Sequence, residues 1–156
     1  MFVISSCHVN YSLSGASISP DVKTISIDYF PNRAPLASPL VSQMFTESIK
    51  DVFIAQTNLN LVESNGDLQL SGYITDYRTA PIAIQGNETA AMNRLTITVY
   101  VKFINTKDNK QDFETSFTRY SDYDSNQDLS AIENELISDI NNQLSQDIFN
   151  KAVSNW

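Results

Sequence analysis

The chain has 156 residues and a mass of 17.5 kDa, enough for one domain with a hydrophobic core but too small for two comfortable ones. An apolar content of 42% excludes wholesale disorder, and a single cysteine excludes an internal disulfide or a multi-cysteine metal site. The net charge is −8, and residues 121–156 contribute −6 of it, which excludes bulk electrostatic binding of DNA or RNA.

The N-terminal residues resemble the end of a bacterial lipoprotein signal. An apolar stretch and two serines precede Cys7, the residue whose thiol is acylated in such lipoproteins. A full signal also needs a basic start and a longer apolar stretch, so we expect residues 1–6 to be the remnant of a signal in a longer precursor. Cys7 is then the predicted lipidation site, residues 7–20 a tether and residues 21–156 a single domain. The alternative is an unmodified free cysteine.

The first half of the chain predicts a strand, a helix and a second strand. Apolar and polar residues alternate over 22–29, as in a half-buried strand. Apolar residues at helical spacing predict a helix over 39–56, which starts at a proline after a capping serine. Apolar and polar residues alternate again over 68–75, which predicts a second strand. The apolar residues of 81–84 could extend this strand beyond the sheet. The strand–helix–strand order favours a parallel pair of strands.

The second half predicts an antiparallel hairpin and a long helix. The hairpin strands cover residues 95–103 and 113–120. The helix runs over 129–153, with Ser130 and Glu133 as its capping box. The order βαβββα predicts an α+β two-layer sandwich, with a four-stranded mixed sheet and two helices on one face.

Two layers leave the second face of the sheet uncovered. The side chains predicted there carry many hydroxyl groups: Tyr73, Thr75, Tyr77, Thr96, Thr98, Tyr100, Ser116, Thr118 and Tyr120. Cross-strand pairing on a solvated face is the simpler interpretation of this composition. Tyrosine is also enriched in protein interfaces, so the four tyrosines are candidates for contact with a partner.

The sequence lacks the residue combinations that catalysis and cofactor binding require. His8 is the only histidine, so no zinc site and no Cys–His nucleophile pair can form within the domain. None of the four glycines falls in a phosphate-binding loop. We therefore expect no catalytic residue, no cofactor and no metal, and hence no enzyme.

A calcium loop over residues 122–133 is an alternative to that expectation. Oxygen ligands occupy positions 1, 3, 5, 9 and 12 of this 12-residue segment, from Asp122 to Glu133. Gln127 stands where such loops have a glycine, and the preceding element is a strand instead of a helix. A solvated turn before the last helix is therefore the favoured interpretation.

Three segments, Tyr29–Ala34, Gly86–Ile97 and Asp147–Trp156, resemble the LptE-type lipopolysaccharide-assembly lipoproteins. The resemblance covers nearly the whole chain from Cys7. It implies an outer-membrane lipoprotein on the periplasmic side, with two helices on a four-stranded sheet. It also implies a one-to-one plug in the large β-barrel LptD, which the lipoprotein helps to assemble, and contact with lipopolysaccharide on its way to the outer leaflet.

Lipopolysaccharide carries phosphates, which require cations on the protein. From local charge, the candidates are Arg78, Arg94 and Lys102, and the alternative for each is an ordinary surface charge. Two other functions stay open. One is a periplasmic lipoprotein that activates a cell-wall enzyme or serves another envelope transporter through protein binding. The other is a soluble calcium-dependent module.

Overall fold

The computed structural model describes residues 18–82 and 91–153. In chain order the elements are β1 (Thr24–Ile27), α1 (Val41–Gln56), β2 (Asn60–Val62), β3 (Leu68–Ile82), β4 (Met92–Asn105), a 3-10 turn (Asn109–Gln111), β5 (Phe113–Asp124) and α2 (Leu129–Val153). The predicted extent of α2 is confirmed, and α1 begins two residues later than predicted. The lipidation site at Cys7 and a strand extension at 83–84 lie outside the described residues.

The strands form one open mixed sheet in the order β2–β1–β3–β4–β5. β1 pairs in parallel with both β2 and β3, whereas β3–β4 and β4–β5 are antiparallel. The α+β class and the parallel pair of strands across α1 are therefore confirmed. The predicted number of four strands is wrong, since the sheet has five.

The strand that the sequence did not predict is β2. It has only three residues, Asn60–Val62, which is too short to show a two-residue period. Its pairing with β1, from Thr24 opposite Asn60 to Ser26 opposite Val62, is what makes it a strand. Tertiary pairing, and not local propensity, therefore defines this element.

Both helices pack against each other and against one face of the sheet. Phe53 of α1 meets Phe149 of α2 edge to face, with ring centroids 5.1 Å apart. Phe30, in the loop before α1, meets Phe45 in the same way at 5.0 Å. Alternate residues of β4 are fully buried in the same core: Leu95, Ile97, Val99, Val101 and Phe103. Neither helix of the described chain is long and apolar enough to cross a membrane.

The start of α2 differs from the predicted capping box. The carboxylate of Asp128 accepts a hydrogen bond from the backbone N–H of Ser130 at 3.0 Å, so Asp128 caps the helix. Ser130 already lies inside α2, which begins at Leu129. Glu133 accepts a hydrogen bond from the hydroxyl of Tyr77. The capping-box prediction is therefore wrong, because Glu133 turns towards the sheet.

Candidate binding face of the sheet

The side of β3, β4 and β5 that points away from the helices is the candidate site, and we call it the open face. Its side chains follow from the strand register: Ser71, Tyr73, Asp76, Arg78, Arg94, Thr96, Thr98, Tyr100, Lys102, Glu114, Ser116, Thr118, Tyr120 and Asp122. Among the described residues, no helix or strand packs on this face. Tyr120 is 49% exposed, as expected of a face in contact with solvent.

A β-bulge in β3 changes which residues reach the open face. The register between β3 and β4 shifts between Ile74 and Asp76, so β3 has one extra residue there. After the shift Arg78 lies opposite Thr96 on the open face, and Tyr77 points to the helices with only 7% exposure. The predicted place of Tyr77 on the open face is wrong, because strict alternation leaves no room for an inserted residue.

Tyr77 instead belongs to the helix side of the sheet. Its hydroxyl donates a hydrogen bond to the carboxylate of Glu133. Burial and then this carboxylate raise the pKa of Tyr77 above the usual range of tyrosine. The other three predicted tyrosines, at positions 73, 100 and 120, do lie on the open face.

An aromatic pair and a cation lie on the β3–β4 part of the open face. The rings of Tyr73 and Tyr100 are 5.1 Å apart between centroids. The guanidinium carbon of Arg33 lies 3.7 Å from the centroid of Tyr73. The backbone N–H of Arg33 donates to the carbonyl of Ile74 at 2.9 Å, which holds the loop after β1 along β3. The sequence did not predict a role for Arg33, although it lies in a segment that resembles the lipoprotein family.

Lys102 forms a three-residue cluster with Glu114 and Tyr100. Its ammonium lies 2.8 Å from the carboxylate of Glu114, which also accepts a hydrogen bond of 2.7 Å from the hydroxyl of Tyr100. The hydrogen bond from Lys102 is the main cause that holds the pKa of Glu114 below its ordinary value. In return Glu114 raises the pKa of Lys102. Lys102 is therefore a positive charge with a carboxylate already bound to it.

Arg94 has a similar partner at the other end of β4. Its guanidinium makes two parallel hydrogen bonds to Asp122, of 2.6 and 2.8 Å, and its carbon lies 3.6 Å above the ring of Tyr120. Asp122 raises the pKa of Arg94 further above its ordinary value. A guanidinium that lies over a ring and makes two hydrogen bonds to one carboxylate is already held in a geometry that suits an anion.

Arg78 is the most exposed of the three predicted cations. Its side chain is 67% exposed, and its one described ion pair is a contact of 3.2 Å with Asp76. All three predicted cations thus lie on the open face, and each faces a carboxylate. These acids were not predicted on the face, although the period of two could have placed two of them there, because Glu114 and Asp122 share the alternation of Ser116 to Tyr120. Asp76 reaches the face only through the bulge.

The open face can bind an anion in two ways. Within residues 18–82 and 91–153, no ion pair is described for Arg33, and Arg78 has a single one, so these two cations are accessible. Arg94 and Lys102 can bind a phosphate if it replaces their carboxylate partners. The tyrosine rings between the strands add apolar surface and hydroxyl groups.

The structure does not bring together the oxygen ligands of the calcium loop considered for residues 122–133. In the described parts of the chain, no group of three or more His, Cys, Asp or Glu side chains is placed to hold a metal ion. Asp122 pairs with Arg94 on the open face, whereas Glu133 bonds Tyr77 on the helix side. The first and last oxygen ligands of the segment therefore lie on opposite faces of the sheet.

Comparison with known proteins shows the family to which this chain belongs. The model of the lipopolysaccharide-assembly family LptE matches residues 22–152. The chain therefore belongs to the LptE family, a family of non-catalytic envelope lipoproteins that work in lipopolysaccharide assembly. No curated protein matches the chain by sequence.

Solved structures share the fold at low identity. The minor lipoprotein of Acinetobacter baumannii is 16% identical with a TM-score of 0.55, over 86% of this chain and 94% of that chain. Rare lipoprotein B of Shewanella oneidensis is 12% identical with a TM-score of 0.53, over 85% and 95%. Lipoprotein B of Nitrosomonas europaea is 15% identical with a TM-score of 0.50, over 94% and 92%. At such identities the likeness establishes the fold alone.

Proposed function

We propose that this chain is an outer-membrane lipoprotein that takes part in lipopolysaccharide transport to the outer leaflet. Cys7 carries the acyl anchor, and the folded domain lies on the periplasmic side. The domain plugs the β-barrel LptD in a one-to-one complex and assists the assembly of that barrel. Membership of the LptE family supports the link to lipopolysaccharide assembly.

The observation that carries this proposal is the arrangement of cations and tyrosines on the open face. Arg33 and Arg78 are the accessible cations, and Arg94 is already held in a geometry that suits a phosphate. The neighbouring rings of Tyr73 and Tyr100, whose planes are inclined by 32°, offer aromatic surface to a sugar. The open face therefore suits the phosphorylated sugar headgroup of lipopolysaccharide.

A binding measurement with purified lipopolysaccharide tests the open face. Reversal of both charges, Arg78→Glu with Arg94→Glu, should weaken binding while the circular dichroism spectrum stays unchanged. Lys50→Glu with Lys110→Glu is the control with the same change in net charge, because Lys50 lies in α1 and Lys110 in the turn between β4 and β5. Unchanged binding by the double variant removes both residues from the site. An equal loss in the control shows that only the total charge matters.

Affinity purification from membranes tests the partner and the anchor. The full-length precursor should be recovered with a large outer-membrane β-barrel in equal amount. Mass spectrometry should find acyl chains on Cys7. Recovery of a penicillin-binding protein in place of a barrel would contradict the proposal and favour an activator of a cell-wall enzyme.

A further inference from the structure

The outer edge of β5 is a second candidate binding surface, because its backbone N–H and C=O groups could pair with a further strand. β5 is the last strand of the sheet and pairs on one side only, with β4. Its twelve residues contain no proline or glycine, and its register with β4 has no bulge. The other free edges are protected, since β2 has three residues and the free part of β3 after Ile74 contains Pro81.

The register determines which backbone groups of β5 point outwards. The N–H of Ser125 donates to the carbonyl of Ala91 at 3.0 Å, so the odd-numbered residues of β5 exchange hydrogen bonds with β4. The even-numbered residues direct their N–H and C=O groups away from the sheet: Glu114, Ser116, Thr118, Tyr120 and Asp122. In the part of the chain that is described, no strand lies beside them.

The side chains along this edge indicate what kind of strand fits. On the open face, β5 has acidic residues and no basic one. On the helix side, Phe113 and Phe117 are only partly buried and border the core. At the C-terminal end of β5, a cavity of about 440 Å³ lies between this strand and α2. Its described lining contains no basic residue and four acidic ones: Asp122, Asp124, Glu135 and Asp139.

We propose that the edge of β5 binds an extended segment of another polypeptide in which Lys or Arg alternates with apolar residues. The segment adds a sixth, antiparallel strand and hydrogen bonds to the outward backbone groups of β5. Its apolar side chains pack beside Phe117 on the helix side, and its basic side chains point to the open face, beside Glu114, Asp122 and Asp124. Among the ion pairs of the described residues, none involves Asp124. About nine residues, roughly 30 Å of strand, cover the edge.

Charge separates this partner from a second copy of the chain. On the open face, the β5 strand of a second copy would bring acidic residues and no basic one to an edge that is itself acidic there, because its one basic residue, Arg119, lies on the helix side and pairs with Asp147. Each copy also has a net charge of −8. The proposal concerns the strand edge, so it does not depend on lipopolysaccharide binding by the open face.

A proline substitution at the edge provides a selective test. The N–H of Thr118 points outwards, so Thr118→Pro removes an outward donor without removing a β4–β5 hydrogen bond. Thr118→Val is the matched control, since it also loses the 2.9 Å hydroxyl contact with Thr98 but keeps the N–H. The probe is a fluorescein-labelled nine-residue peptide, Lys-Val-Thr-Val-Lys-Val-Thr-Val-Lys, added to the full chain.

The wild-type chain and Thr118→Val should bind the probe alike, and Thr118→Pro about tenfold or more weakly. Binding should weaken as salt increases, and a peptide with Glu in place of Lys should not bind. Hydrogen exchange should show protection of the amides of Ser116, Thr118 and Tyr120 on binding, which a nonspecific charge effect would not produce.

Three results would overturn the proposal. The first is no binding of the probe to the wild-type chain, and the second is equal binding by Thr118→Pro with an unchanged circular dichroism spectrum. The third is a wild-type chain that forms dimers by light scattering and becomes monomeric in Thr118→Pro, because the occupant of the edge would then be a second copy.

Discussion

The hydroxyl of Tyr77 donates a hydrogen bond to the carboxylate of Glu133 and so joins β3 to the start of α2. Tyr77 can reach α2 because the bulge between Ile74 and Asp76 moves it to the helix side. The same bulge places Arg78 on the open face. One inserted residue therefore contributes both to the packing of the domain and to the charge of its candidate site.

Loss of this hydrogen bond should destabilise the domain. In Tyr77→Phe the buried hydroxyl is missing and Glu133 loses its donor, so we expect the free energy of unfolding to fall by about 1–2 kcal/mol. Tyr73→Phe is the control, since no hydrogen bond of the Tyr73 hydroxyl is described, and it should change stability by less than about 0.5 kcal/mol. Urea denaturation measures both variants, and equal losses would contradict this role of Tyr77.

The stability of the domain should depend on pH through Asp67. Its carboxylate accepts hydrogen bonds from the N–H groups of Lys23 and Thr24, at 2.9 and 3.1 Å, and lies 3.1 Å from the ammonium of Lys107. The bond from the Lys23 N–H is the largest of the effects that lower the pKa of Asp67 from 3.8 to about 2. A lowered folded-state pKa stabilises the fold above the ordinary value, and this contribution disappears as the pH falls from about 4 to about 2.

Urea midpoints between pH 5 and pH 2 measure this dependence. The wild-type chain should lose stability more steeply over this range than Asp67→Asn, which has no carboxylate to protonate at that position. Asp28→Asn, at an exposed aspartate next to β1, should keep the wild-type slope. The account of Asp67 fails if all three slopes are the same.

Gly72 is required for close packing between β3 and β4. A Cβ at this position would lie 2.6 Å from the ring of Phe30 and even closer to the carbonyl oxygen of Tyr100. Gly72→Ala should therefore cost about 1–3 kcal/mol of stability. Ser71→Ala, one residue earlier on the open face, should cost less than about 0.5 kcal/mol. Thermal unfolding compares the two, and a smaller effect at Gly72 than at Ser71 would refute the packing argument.

The ion pair between Arg94 and Asp122 allows a test in which two variants act in opposite directions. If Arg94 binds a phosphate of lipopolysaccharide, Asp122 competes with that phosphate. Arg94→Gln should then weaken binding, and Asp122→Asn should strengthen it, each by about fivefold at low salt for an exposed pair worth about 1 kcal/mol. Calorimetric titration measures both variants. A loss of affinity in both would mean that the pair only supports the structure of the face.

Much of the fold could be predicted because the helix-facing residues follow simple periods. The run from Leu95 to Phe103 alternates without interruption, since one side of β4 is fully covered and the other is not. The strand β2 could not be predicted, because Asn60–Val62 depends on its pairing with β1. The bulge could not be predicted from the sequence either, because a polar residue such as Thr75 is compatible with both faces of the sheet.

The candidate site could be predicted only in part for the same reasons. Alternation placed Tyr73, Tyr100 and Tyr120 correctly, but it misplaced Tyr77 beyond the bulge. The position of Arg33 over Tyr73 depends on a loop that tertiary hydrogen bonds hold against β3. Local sequence contains no signal for such a contact.

The most direct test of the open face is a site-specific cross-link in living Gram-negative cells. A photoreactive residue at Ser116, opposite Tyr100 on the open face, should cross-link to lipopolysaccharide. The same residue at Gln43, on the exposed side of α1, should not. Cross-linking to lipopolysaccharide from Gln43 but not from Ser116 would contradict the account.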